Sequence, residues 1–483
     1  RKPGALPRSI FRVRAMLSAG HVRVALNEGL ELAQQLVKEG RWKQASTILE
    51  EVYNQTVDLT VTSNLAQLLL LYAKCGLATG RRDIATSQAL TAVRRFVSDE
   101  AILAQCDLMD AELQRSIGHY ANYRARVSKG VELAAACNDV VIQARLSFAL
   151  GRGDLWLGNL YDADKTFTKA SEILGDEDPV LMARVLAGLG RCAYGRGELI
   201  KAEELAGRAI ALADDDPIAL ADGLRVWADV CRRQGRYSEA LTRLRQAALT
   251  ARTFEDQQPY TQLLVGIAWC EADLHRLGLA QECLDELASV IREGELLHIR
   301  LERAVLNGRV RLLSGQPRVA EFLLQNAGNS AEKAGLSLLA AQARTYLIEA
   351  QRQTGSLRES VDDWFRSRRI SYLADRHVWT FVDACIAYVD MADSTLSPDE
   401  IFEPALRALK DQNAWPLQIE VSLARARYTR ATGNIKGTML ACRDVTKQVS
   451  MITKHLDDTE RSALRVHPWP RQARAVLKGG LLK

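Results

Sequence analysis

The stretch Gly151-Arg-Gly-Asp-Leu-Trp-Leu-Gly-Asn-Leu-Tyr-Asp-Ala-Asp-Lys-Thr-Phe-Thr-Lys-Ala170 decides the fold. A helical segment runs into Gly158 and a second one leaves it. Small residues stand at Gly151, seven before that glycine, and at Ala163 and Ala170, five and twelve after it. Leu160 follows the turn by two. Two antiparallel helices need this pattern, because small residues allow close approach and the bulky one plugs the gap beside them.

The unit recurs. Turn glycines follow at Gly40, Gly80, Gly118, Gly158, Gly197, Gly235, Gly278, Gly315 and Gly355, spaced by 37 to 43 residues, and then at Gly433 after 78. A step of two repeats places a missing turn near Asp393 and Ser394, where Ser397-Pro398-Asp399-Glu400 supplies a helix start. Eleven hairpins, about 22 helices, are therefore expected. Seven before the glycines stand Ala33, Ala73, Ala111, Gly151, Gly190, Ala228, Glu271, Gly308, Ile348 and Ala426. Five after them stand Ala45, Ala85, Tyr123, Ala163, Ala202, Ala240, Cys283, Ala320, Ser360 and Thr438. Asp178-Pro179 and Asp216-Pro217 give an N-cap followed by Pro at the first helical position. The acidic turns around them are exposed caps rather than metal sites.

Composition agrees. A chain of 483 residues is too long for one ordinary core, and 6% aromatics with 11 Pro favours helix over strand. The net charge of +5 does not by itself imply nucleic acid. No apolar run approaches the ~18–20 residues of a membrane span. The chain opens on Arg1-Lys2-Pro3-Gly4 without Met or an apolar signal segment, so it is expected to be part of a longer product. Nine cysteines without Cys-x-x-Cys suggest small packing residues of a reduced, cytoplasmic protein. Cys192, Cys231 and Cys270 follow one another at steps of 39.

Signatures of catalysis are missing from the sequence. It contains no Gly-x-x-x-x-Gly-Lys-Ser/Thr, no His-Glu-x-x-His and no Gly-x-Ser-x-Gly, and its seven histidines are scattered. The chain is expected not to be an enzyme and to hold no metal or cofactor. Residues 1–23, with six basic and no acidic side chains, read as a basic linker or the end of a preceding domain. Residues 24–456 carry the repeats. Residues 457–483 read as a capping helix, broken at Pro468-Trp469-Pro470, and a loose tail.

Gly40-Arg-Trp-Lys-Gln-Ala45 and Gly235-Arg-Tyr-Ser-Glu-Ala240 resemble the tetratricopeptide repeat. The period of 39 or 40 resembles the sensor region of bacterial signal-transduction ATPases and of maltose-type transcription activators. The resemblance implies an all-α, right-handed superhelical solenoid serving as scaffold or sensor in a larger signalling protein. It also implies that the first helix of each pair lines the concave face, at 13, 10, 6, 3 and 2 residues before the turn. Those offsets select Arg145, Phe148, Arg152 and Trp156, then Arg184, Arg191 and Tyr194, then Arg225 and Arg232, with His275, Arg276, Arg309 and Arg352 beyond. Arginines with aromatics between them suit an acidic extended peptide or protein segment. A solvated face, with the arginines paired to Asp222 and Asp229, is the plainer alternative. Nucleic acid and a small ligand inside the superhelix are the other two readings.

Overall fold

A computed structural model describes residues 6–56, 63–79, 84–137, 139–213, 216–253, 257–291, 297–355 and 402–478, apart from 404, 405 and 408. The described residues form helices and no strand. After α1 (Leu6–Ser18), hairpins follow in order. They are α2 (Val22–Lys38) with α3 (Trp42–Thr56), α4 (Ser63–Ala78) with α5 (Ile84–Phe96), and α6 (Glu100–Ser116) with α7 (Tyr120–Ala134). Then come α8 (Val140–Leu157) with α9 (Leu160–Leu174), α10 (Pro179–Gly195) with α11 (Leu199–Leu212), and α12 (Pro217–Gln234) with α13 (Tyr237–Ala251). Next are α14 (Gln258–Asp273) with α15 (Leu277–Val290), α16 (Leu297–Leu313) with α17 (Pro317–Lys333), and α18 (Ser337–Thr354). The last are α19 (Trp415–Ala431) with α20 (Ile435–Thr453), then α21 (Asp458–Val466) and α22 (Pro468–Leu477). We number the hairpins one to eleven by their turns; α19 and α20 form hairpin eleven. Gly80, the second helix of hairpin nine and the turn expected near Asp393 and Ser394 lie outside the described residues.

One turn geometry repeats. Gly158 has φ 84°, and the next amide, Asn159 N–H, donates to Asp154 C=O at 2.8 Å. Glu198 to Ala193, Arg236 to Cys231 and Asn434 to Thr429 make the same bond after Gly197, Gly235 and Gly433. This closes the orphan carbonyls of a helix end and requires a left-handed residue. Hairpin seven departs from the expected register. Its left-handed residue is His275, φ 60°, and Arg276 N–H donates to Glu271 C=O. Gly278 lies inside α15. With the turn at His275 the small columns fall on Ala268 and Ala280, both fully buried, and no longer on Glu271 and Cys283.

Aspartates start the first helix of several pairs. Asp139, Asp178 and Asp216 accept from the Ile142, Leu181 and Ala219 amides at 2.8–3.0 Å. The helix contacts fall on the small columns. A Cβ at Gly151 would stand 2.8 Å from the Phe167 ring of its own hairpin, and one at Gly308 2.6 Å from Leu324. Gly190 faces the Ala202 carbonyl and Leu205, and also Val226 of the next hairpin. Leu160 plugs the gap beside Gly195.

Residues Leu6–Ser18, expected as a linker or domain end, form a helix seated on the first hairpin. Val13 is buried, and Arg14 pairs with Glu51 at 2.7 Å. The C-terminal segment forms two helices joined at His467 where one broken helix was expected.

The superhelix closes on itself after five hairpins. Gly118 of hairpin three packs on Leu297 of hairpin eight, and Gly158 of hairpin four on Ser337 and Leu338 of hairpin nine. Gly235 of hairpin six packs on Ile452 of hairpin eleven. Tyr120 hydroxyl accepts the His298 main-chain N–H at 3.0 Å and lies 3.0 Å from its Nδ1. Tyr120, Leu301, Leu336 and Ala340 form a core cluster across this seam, with Trp156 and Leu157 against it.

Candidate partner-binding channel

The first helices of the pairs present their inner offsets to a common channel, and most of that wall is an ion-pair lattice. Arg152 pairs with Glu112 of the preceding hairpin. Arg184 Nε donates to Asp222 of the following one at 3.1 Å. Arg225 is buried between Asp229 at 3.2 Å and Glu302, two hairpins on. Arg232 is buried against Asp273 at 2.8 Å, and Arg309 reaches the other Asp273 oxygen at 2.6 Å. Aromatic rings separate the charges. The Arg152 and Arg184 guanidiniums lie 5.4 and 5.0 Å from the Phe148 ring. Trp156 takes Arg152 at 5.0 Å and Arg115 at 5.4 Å, and Trp269 takes Arg232 at 5.1 Å.

Burial opposes ionisation of Glu112, Asp229 and Asp273. The arginines outweigh it: Arg115 and Arg152 at Glu112, Arg225 and Arg232 at Asp229, Arg309 and Arg232 at Asp273. All three carboxyls are held below their usual range. Each pair is therefore charged, and losing one partner would leave a buried charge uncompensated.

The nine expected site residues thus divide. Phe148 is buried against Phe167, and Arg152, Arg225 and Arg232 are committed to carboxylates of the chain itself. Trp156 belongs to the seam, 5.5 Å from both the Tyr120 and His298 rings. Tyr194 hydroxyl accepts from Arg233 Nε at 2.8 Å. Arg184 is half-buried and paired. Arg145 is half exposed, 3.7 Å from Asp178. Arg191 is exposed and makes no ion pair among the described residues.

Lys74, at the matching offset of hairpin two, adds to this second group. Removal from water and then the proximity of Arg145 and Arg184 pull its pKa below the ordinary lysine value. The register slip at hairpin seven also changes the lining. Ala272 and Asp273 take the places expected for His275 and Arg276, and Trp269 enters the column of Arg152 and Arg191. Glu112, Glu302 and Glu420 hold offsets already legible in the spacing. Asp273 and Trp269 were hidden by the slip. The side chain of Arg352 lies outside the described residues.

Cys192, Cys231 and Cys270 are buried, and burial pushes the Cys192 thiol up to about 12. Among the described residues no three His, Cys, Asp or Glu side chains gather as a metal set, and no helix is long and apolar enough to cross a membrane.

No protein-family model matches the chain, and no curated protein matches it. Among solved structures, it is similar to a Rap protein complexed with competence and sporulation factor, at 12% identity and a TM-score of 0.38. That similarity covers 89% of this chain and 99% of the other. It is also similar to the apo form of RapI, at 13% identity and a TM-score of 0.41, over 69% of this chain and 99% of the other.

Proposed function

We propose that the chain is a partner-binding solenoid that takes an extended acidic segment of another protein along Lys74, Arg145, Arg184 and Arg191. In this reading Phe148, Arg152, Arg225 and Arg232 hold the wall in shape, and Trp156 and Tyr194 border the bound segment. A sensor or scaffold role in a larger signalling protein belongs to the same reading. The observation that carries it is Arg191. It shares a column with Arg152, faces the same channel, and makes no direct ion pair among the described residues, having only the longer-range attraction of Asp229, which Arg225 and Arg232 already hold. A bound carboxylate supplies that missing partner through a charge-assisted bond. Nucleic acid is disfavoured by the alternation along the wall, where Glu112, Asp222, Asp229 and Asp273 interrupt any basic track.

The test is fluorescence anisotropy with a fluorescein-labelled glutamate-rich peptide on the full chain. Arg191→Glu should weaken binding by roughly tenfold, the effect of a partly exposed charge contact reversed in sign. Arg208→Glu, on an exposed helix face outside the channel, should change nothing. Equal loss in both variants, or tighter binding of a short DNA duplex with a steep salt slope, would replace this reading.

A further inference from the structure

The edge of the channel at the turns of hairpins six and seven already has an occupant, and it is the chain itself. After Leu456 the chain turns back across hairpin six. Asp457 caps α21 in a reciprocal capping box with Glu460. Glu460 is almost fully buried, accepts from Ser238 Oγ, and lies 3.7 Å from Arg276 Nη2. Asp457 N–H lies 3.2 Å from the same Ser238 oxygen. His467 is buried with its ring 5.5 Å from His275 and 3.8 Å from Trp469. Trp469 Nε1 donates to Glu420, which holds a channel-facing offset of hairpin eleven.

Leu464, Trp469, Ala473 and Val476 join the core of hairpin eleven, but two features weaken this seat. The helices are 9 and 10 residues long, joined at one residue, and helices of that length have little stability alone. The wall under them is also incompletely satisfied. Arg276 Nη2, Arg309 Nε, Arg427 Nε and His275 Nδ1 are buried without a hydrogen-bond partner among the described residues. Each unmet group costs about 1–3 kcal/mol, so a ligand with more acceptors has something to gain there.

We propose that residues 457–477 are a displaceable internal ligand, seated on Ser238, Asp273, His275, Arg276, Arg309 and Glu420. A helical segment of another protein takes their place if it has a carboxylate to reach Ser238 and Arg276 and an indole to donate to Glu420. Such docking follows the general mode of an amphipathic helix in a groove. The inference concerns a different part of the channel from Arg191 and stands independently of the peptide proposed there.

The experiment uses the full chain with a protease site inserted in the exposed turn between Lys454 and His455. The probe is a fluorescein-labelled peptide with the sequence of residues 456–478. The uncut chain should show no saturable uptake. After cleavage the peptide should exchange in, and peptides carrying Glu460→Ala or Trp469→Ala should bind at least roughly tenfold more weakly, as for truncated anchors. Uptake by the uncut chain at the same affinity, or a cut chain that stays helical and never exchanges its segment, overturns the proposal. If cutting unfolds the protein, the uncut double variant Glu460→Gln, Trp469→Phe takes its place. Saturable uptake by that variant supports displacement, and its absence rejects it.

Discussion

Arg191 and Arg225 face the same channel one hairpin apart, yet their surroundings ask for opposite things. Arg225→Ala would leave Asp229 and Glu302 facing each other in a buried site, and should cost ~3–5 kcal/mol in a urea melt. Arg191→Ala removes an exposed side chain without a carboxylate, and should change stability by less than about 0.5 kcal/mol. Equal melts for the two would remove the distinction on which the site rests. His467 makes a pH-dependent case. Burial first, and then His275 and Arg309, push its pKa down to about 3, while Asp273 pulls the other way. The unfolded chain, with an ordinary His near ~6.5, therefore binds more protons between those values, and stability rises with pH there. The contribution is complete above about pH 6.5 and is lost as pH falls toward 3. His467→Asn should flatten that part of the stability profile, and an unchanged slope would contradict the assignment. The neighbour pairings Arg152–Glu112 and Arg184–Asp222 were legible as equal offsets one repeat apart. Arg225–Glu302 was not, because two hairpins meet there only through the curvature of the whole wall.

Helix pairs are where the sequence speaks most plainly, and where it misled once. Glycine is the usual left-handed residue at a helix end, so Gly278 drew the turn of hairpin seven to itself. The chain instead spends a His in that conformation, and the steps from Gly235 to His275 and from His275 to Gly315 are then both 40 residues. Gly278→Ala should accordingly be neutral or stabilising by ~0.5–1 kcal/mol, since it lies within a helix with open space around its Cβ position. Gly315→Ala, at φ 73°, should cost ~1–2 kcal/mol instead. The reverse order in thermal melts would restore the register read from the glycines. At Gly190 the packing leaves a Cβ 3.1 Å from Val226, so Gly190→Leu should destabilise by ~1–3 kcal/mol. Hydrogen exchange should show the loss concentrated in hairpins four to six, as expected for an array whose repeats touch mainly their neighbours. The N-terminal helix escaped the sequence reading because its three arginines, among the six basic residues of 1–23, outweighed a short apolar stripe. Val13 carries that stripe into the core.

Across the described residues the hairpins do more than stack, because hairpins three, four and six each meet the fifth one after them. Curvature of this kind is a sum of small angles between neighbours, and no spacing in the chain displays it. The column offsets therefore identified the channel lining without showing how closely the wall folds over it. The seam explains why Trp156, expected in a groove, is packed against Tyr120 and His298. It also explains how residues 457–477 can reach hairpins six and seven. Since the ion-pair lattice, the internal occupant and the seam all depend on this winding, a crosslink across the seam is the most direct test. A Cβ at Gly158 would lie 3.2 Å from that of Ser337, close to the ~3.5–4.5 Å that a disulfide spans. Under mild oxidation the full chain carrying Gly158→Cys and Ser337→Cys should form that bond in most molecules, identified by peptide mapping. A chain carrying Gly20→Cys and Ser337→Cys should not. Free thiols in both would mean that hairpins four and nine do not meet, and that the channel is open where this structure closes it.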